Sequence, residues 1–163
     1  MNRAQWKFLR LRPANFPTVR LAQLSAILST STPLFEKLVA TDNLKEVRKL
    51  FSSSPSRYWQ THYSFGKESK KMHGNIGDES IDNILINSVV PTLAAFAAAR
   101  GEEIYFDRAL EFLQQLNPES NSIIRAWQAL SIKAANAFDS QGLIEQMNSS
   151  CKRRNCLNCS VGA

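Results

Sequence analysis

The stretch DESIDNILINSVVPTLAAFAAAR, residues 78–100, decides the fold class of this chain. Its apolar positions recur at spacings of three and four residues, which is typical of the buried face of a helix: Ile81, Ile84, Leu85 and Val89. Asp78 is suited to open this helix and Gly101 to end it, while Pro91 predicts a kink because proline lacks an amide hydrogen. The sequence therefore predicts one long helix here.

The same periodicity extends along the chain, and patterns typical of strands are nearly absent. Residues 57–77, where aromatic, basic and glycine residues crowd together, are the exception and predict a long irregular segment. We therefore expect an all-α protein, with a single compact domain of about six to eight helices over residues 1–147. A short cysteine-rich tail, residues 148–163, is expected to follow it.

The tail holds all three cysteines of the chain, Cys151, Cys156 and Cys159, with four and then two residues between them. Thiolates at this spacing can bind one tetrahedral ion, so the pattern predicts a metal site, with zinc as the first candidate and an iron–sulfur cluster as the alternative. Such sites use four ligands; His62 is the tentative fourth, and His73 is the second candidate. The alternatives are thiols that bind no metal, or one disulfide with a thiol left over.

Charge is distributed unevenly along the chain, whose net charge is +6. Residues 1–75 have 13 Lys and Arg against 4 Asp and Glu, whereas residues 76–150 have 4 against 10. The two parts can neutralise each other within one fold, or the first can present a cationic face to phosphate groups.

The candidate contacts for nucleic acid or another anion come from three parts of the sequence. They are the arginines beside rigid proline residues, a lysine-rich loop and the basic residues of the tail. The candidates are Arg12, Asn15, Arg20, Lys67, Lys70, Lys71, Lys152, Arg153 and Arg154. If they bind nucleic acid, Tyr58, Trp59 and Tyr63 could stack on exposed bases. The alternative is that Arg12 and Arg20 pair with acidic residues such as Asp82 or Glu119.

Several sequence features narrow the function classes. The chain lacks HExxH, GxSxG, Walker and GxGxxG motifs, so no catalytic residue is assigned. No long uncharged apolar run and no signal peptide are recognised, so no membrane association is expected. An odd number of cysteines without an export signal favours reduced thiols and a cytoplasmic location.

Several phrases of the sequence carry a resemblance to a known family. They are Arg12-Pro-Ala-Asn-Phe-Pro-Thr-Val-Arg20-Leu-Ala-Gln23, Tyr58-Trp-Gln-Thr-His62-Tyr-Ser-Phe-Gly66, Asp82-Asn-Ile-Leu-Ile-Asn87, Pro118-Glu119-Ser-Asn121, Asp139-Ser-Gln141 and the cysteine tail. Together they resemble DUF2851, a family of uncharacterised bacterial proteins. The resemblance implies that the chain corresponds to the C-terminal half of longer proteins, as a truncated or separately encoded piece, and it implies no activity.

Three hypotheses follow. The first is a helical module with a cysteine-bound metal that binds nucleic acid. The second is a structural domain that docks an N-terminal region or a second chain. The third is a zinc-dependent or iron–sulfur enzyme.

Overall fold

The structure is a computed structural model that describes residue 12, residues 15–69 and residues 74–159. Within these residues it has eight helices and a single two-stranded hairpin, so the predicted all-α class and helix number are confirmed. The helices are α1 Pro17–Ser31, α2 Leu34–Ala40, α3 Leu44–Phe51, α4 Arg57–Thr61, α5 Asp78–Arg100, α6 Glu103–Gln115, α7 Ser122–Ala129 and α8 Ala137–Gln146. Contacts divide the chain into unit 1, Met1–Asn83, and unit 2, Ile84–Ala163.

Unit 1 is built around α1, which contacts α2, α3 and the hairpin. The apolar side chains that fill its core are Val19, Ile27, Leu38, Leu44, Val47, Phe51 and Ile81. The hairpin consists of β1 His62–Ser64 and β2 Lys67–Glu68, which pair antiparallel. Phe65 and Gly66 form its tip, and the left-handed backbone of Gly66, with φ of 70°, suits glycine because it has no Cβ. The residues predicted to be irregular therefore contain an ordered turn.

Helix α5 continues without interruption past Pro91, where the sequence predicts a kink. A π-helical turn, Leu85–Val89, precedes the proline, and the amide of Val90 donates to the carbonyl oxygen of Leu85, five residues back. Proline cannot donate and its ring crowds the carbonyl four residues before it, so a wider turn lets the helix accommodate it.

Unit 2 packs the second part of α5 against α6, and α8 against both α6 and α7. Its core contains Leu93, Ala97, Ala109, Phe112, Ile124, Trp127 and Ala137. The amide of Ala137 donates to the carbonyl oxygen of Leu116 at 2.9 Å, and the buried Ser140 hydroxyl accepts from the amide of Glu119 at 3.1 Å. These bonds join α8 to the end of α6 and to the loop that follows it.

One helix of the described part of the chain, Asp78–Arg100, has the length and composition of a membrane-spanning segment. Its mean hydropathy over 18 residues is 1.4. Core helices of soluble proteins have the same properties, so this feature alone does not test the prediction of no membrane association.

Candidate functional site

The three cysteines lie in a loop that turns back over the end of α8, and we call Cys151–Cys159 the thiol loop. A π-helical turn, Met147–Cys151, extends α8, and the loop then reverses at Arg154, whose φ is 53°. Two hydrogen bonds close the reversal: Asn155 N to Ser150 O at 3.1 Å and Arg154 N to Cys151 O at 3.0 Å. This bonding pattern is a Schellman motif, with Arg154 at the left-handed position that glycine usually occupies.

All three cysteines line one small cavity of about 110 Å³. Its other lining residues are Trp127, Gln146, Ser150 and Asn155. The indole N–H of Trp127 donates to the carbonyl oxygen of Leu143 at 3.0 Å, which fixes the ring against α8. Cys159 is buried and its sulfur accepts a hydrogen bond from Gln146 Nε2 at 2.7 Å, while Cys151 and Cys156 are exposed. None of the three forms a disulfide.

Metal ligation by these residues remains a prediction. Among the described residues, no group of three or more His, Cys, Asp or Glu side chains is placed to hold a metal ion. The second candidate for the fourth ligand, His73, lies outside the described residues. The tentative fourth ligand, His62, belongs to unit 1. Its ring stacks on Tyr58 with 3.9 Å between centroids, and its Nδ1 lies 2.9 Å from both Tyr58 O and Thr61 Oγ1. The cysteines thus line one cavity, whereas the His62 ring is positioned by its contacts with Tyr58 and Thr61.

The backbone of the thiol loop gives a direct prediction. We expect Arg154→Gly to stabilise unit 2 by about 1 kcal/mol, because an L-residue in the left-handed region costs about that much and glycine does not. Thermal unfolding followed by circular dichroism measures the change. The neighbouring Arg153→Gly, at a residue without positive φ, is the matched control and should give no gain. Equal changes in thermal stability in the two variants would contradict a strained backbone at Arg154.

The predicted anion site at the start of unit 1 is partly assembled. Arg20 donates to Asn15 Oδ1 at 2.7 Å, to Gln23 Oε1 at 2.9 Å and to Ser80 Oγ at 3.4 Å. Arg12 is exposed, and its carbonyl oxygen accepts from the amide of Asn15 at 2.8 Å. Among the described residues, these three acceptors of Arg20 are neutral oxygens, so they orient the guanidinium without neutralising it.

The acidic residues proposed as alternative partners of Arg12 and Arg20 have other partners. Asp82 pairs with Arg48, and Glu119 accepts a hydrogen bond from Gln141. Gln23 ends the first phrase that resembles the family but was not among the predicted site residues. It is buried and donates through Nε2 to the carbonyl oxygen of Gly74 at 3.0 Å. Its helical spacing from the apolar residues of α1 could have indicated that this polar side chain is buried and needs a hydrogen-bond partner.

Four aromatic side chains, Tyr58, Trp59, His62 and Phe65, lie near the hairpin tip, and together with Lys67 we call them the aromatic hairpin. Phe65 lies at the tip and is 76% exposed. Trp59 contacts it edge to face at 5.0 Å between centroids, and the Tyr58 hydroxyl accepts from the amide of Gly66 at 3.0 Å. These contacts hold the exposed ring in place beside the exposed Lys67.

The remaining basic candidates belong to both units of the chain. Lys70 and Lys71 lie outside the described residues. In unit 2, Lys152 donates to Asn148 Oδ1 at 2.7 Å, and Arg153 and Arg154 are exposed. The sequence of unit 1 has 13 Lys and Arg against 7 Asp and Glu, whereas unit 2 has 7 against 7. Unit 1 therefore carries the entire net charge of +6.

Comparison with known proteins supports the family resemblance over most of the chain. A family model described as "Protein of unknown function (DUF2851)" matches residues 1–122. The match ends before α8 and the thiol loop, so the expectation that the chain corresponds to the C-terminal half of longer proteins is not confirmed. No curated protein and no solved structure matches the chain.

Proposed function

Because the chain belongs to the DUF2851 family, whose description assigns no activity, we propose from the residues of unit 1 that the protein binds single-stranded nucleic acid. The observation that carries the proposal is the exposed ring of Phe65 beside Lys67, in the unit that holds the whole net charge. An aromatic face binds a base by stacking, and neighbouring cations bind the phosphates on either side of it.

The geometry of the aromatic hairpin favours Phe65 over the aromatics that the sequence suggested. One face of Tyr58 is stacked on His62, and Trp59 and Tyr63 are only partly exposed. Phe65 is oriented by Trp59 and by the glycine turn, so little conformational freedom is lost when a base stacks on it. A duplex keeps its bases stacked on one another, so this mode of binding favours single strands.

Electrostatics contribute the second part of the proposal. The neutral oxygens that Arg20 contacts within the described part of the chain leave its positive charge in place, and Arg12 and Lys67 are exposed. Exposed cations in a unit of net charge +6 attract phosphate backbones without sequence preference.

The test compares a fluorescein-labelled oligo-dT with a duplex of the same length, using fluorescence anisotropy at low salt. We expect the single strand to bind at least about tenfold more tightly, which corresponds to about 1.4 kcal/mol from base stacking. Equal affinity for both, or no binding to either, would remove the proposal.

We also propose that the thiol loop binds zinc, which would fasten the tail to α8. Support comes from the three cysteines, which line one cavity at a sequence spacing that suits a tetrahedral ion. We expect anaerobically purified protein to contain zinc in proportion to chain concentration, and Cys159→Ser to lose it. Iron with sulfide would favour the cluster alternative, and protein without metal would contradict ligation.

A further inference from the structure

A stripe of three leucines runs along α1 on the surface of unit 1. Leu21, Leu24 and Leu28 are spaced by three and four residues, so they lie on one side of the helix. Each is about half exposed, at 46%, 48% and 47% respectively. We call these residues the leucine stripe; single exposed leucines are common, but a contiguous row on one helix is typical of a binding surface.

Cations lie at both ends of the leucine stripe. Arg20 precedes it and is held by neutral oxygens, as described above. At the other end, Lys37 of α2 donates through Nζ to the carbonyl oxygen of Thr32, which follows α1, at 3.1 Å. Helix α1 itself contains no Asp or Glu. The stripe is therefore an apolar surface about two helical turns long with positive charge at each end.

We propose that the leucine stripe binds an amphipathic helix of a partner protein whose apolar face ends in acidic residues on both sides. The apolar side chains of a partner helix, at the same spacing, can pack on the three leucines. Acidic residues at the two ends of that partner helix complement Arg20 and Lys37. The leucine stripe shares Arg20 with the proposed nucleic-acid contacts but includes no residue of the aromatic hairpin, and its leucine anchors do not depend on nucleic-acid binding.

The same charges disfavour a second copy of this chain as the occupant. In a parallel pairing of two stripes, Arg20 meets Arg20 and Lys37 meets Lys37. In an antiparallel pairing, Arg20 of one copy meets Lys37 of the other. Both arrangements oppose like charges, which destabilises the pair.

The experiment uses the whole chain and a labelled peptide helix of roughly 16 residues, with leucines at matching spacing and two glutamates at each end. A second peptide has lysines in place of the glutamates. We expect the acidic peptide to bind at least about tenfold more tightly than the lysine peptide, by fluorescence anisotropy. Leu24→Asp should weaken this binding by more than about tenfold, because it places a charge among the apolar anchors.

Leu130→Asp in unit 2, at a leucine that is 69% exposed, is the matched control and should leave peptide affinity unchanged. Circular dichroism of both variants checks that the fold is retained. Equal binding of the two peptides, or no binding of the acidic one, would overturn the proposal. Dimerisation in sedimentation experiments that Leu24→Asp abolishes would also overturn it, because a second copy would then be the occupant.

Discussion

Replacing Phe112 by alanine is expected to lower the free energy of unfolding of unit 2 by about 3–5 kcal/mol. Phe112 has 0% exposure and is the largest fully buried side chain among the described residues. It lies on α6, which contacts both α5 and α8. Removal of its ring leaves a cavity where three helices meet, and the loss is a large part of the typical stability of a domain. Urea denaturation followed by circular dichroism measures it.

Phe106→Ala is the matched control for this prediction. Phe106 lies on the same helix but is 48% exposed, so its removal forms no closed cavity and should cost about 1 kcal/mol or less. Comparable losses in the two variants would contradict the assigned burial of α6.

Phe65→Ala is expected to weaken binding of single-stranded DNA by about 1–3 kcal/mol, or roughly 5- to 150-fold. The substitution removes the exposed ring and leaves Lys67 and the other cations in place. The stability of unit 1 should change little, because Phe65 is 76% exposed. Anisotropy titrations with labelled oligo-dT measure the affinity.

Phe35→Ala is the control for this substitution, because Phe35 is a second exposed phenylalanine of unit 1, on α2. It should leave DNA affinity within about twofold of the unmodified protein. If Phe65→Ala and Phe35→Ala behave alike, stacking on the aromatic hairpin is not the basis of binding.

The predicted helix at residues 78–100 is correct because its signal is local. Ile81, Leu85 and Val89 are all buried, as their spacing indicates. Length and periodicity were sufficient to predict it. The π-helical turn before Pro91 was not predictable, because a proline inside a helix can be accommodated in several ways.

Helix starts show where local signals are ambiguous. Asp42 and Asp139 are of a residue type that caps helices, but Asn43 and Asn136 accept the capping hydrogen bonds, from Lys45 N and Asp139 N. Asp139 instead accepts from the amide of Ala135 at 2.9 Å. Asn and Asp cap helices about equally well, so neighbouring candidates cannot be ranked from sequence alone.

The candidate sites depended on contacts between distant parts of the chain. Asn15 and Arg20 were both predicted as anion-site residues, because they lie only five positions apart in the sequence. Gln23 is important through its bond to Gly74, 51 residues away. Phe65 is exposed because a short hairpin places it at a tip, which the aromatic-rich sequence of this segment did not indicate.

The salt dependence of oligo-dT affinity tests the central claim most directly. Arg12, Arg20 and Lys67 are the described candidate cations of unit 1, and three phosphate contacts predict a slope of log affinity against log salt of about −2. Affinity should therefore fall about twentyfold between 50 and 200 mM salt. A slope near zero would contradict nucleic-acid binding by these cations of unit 1.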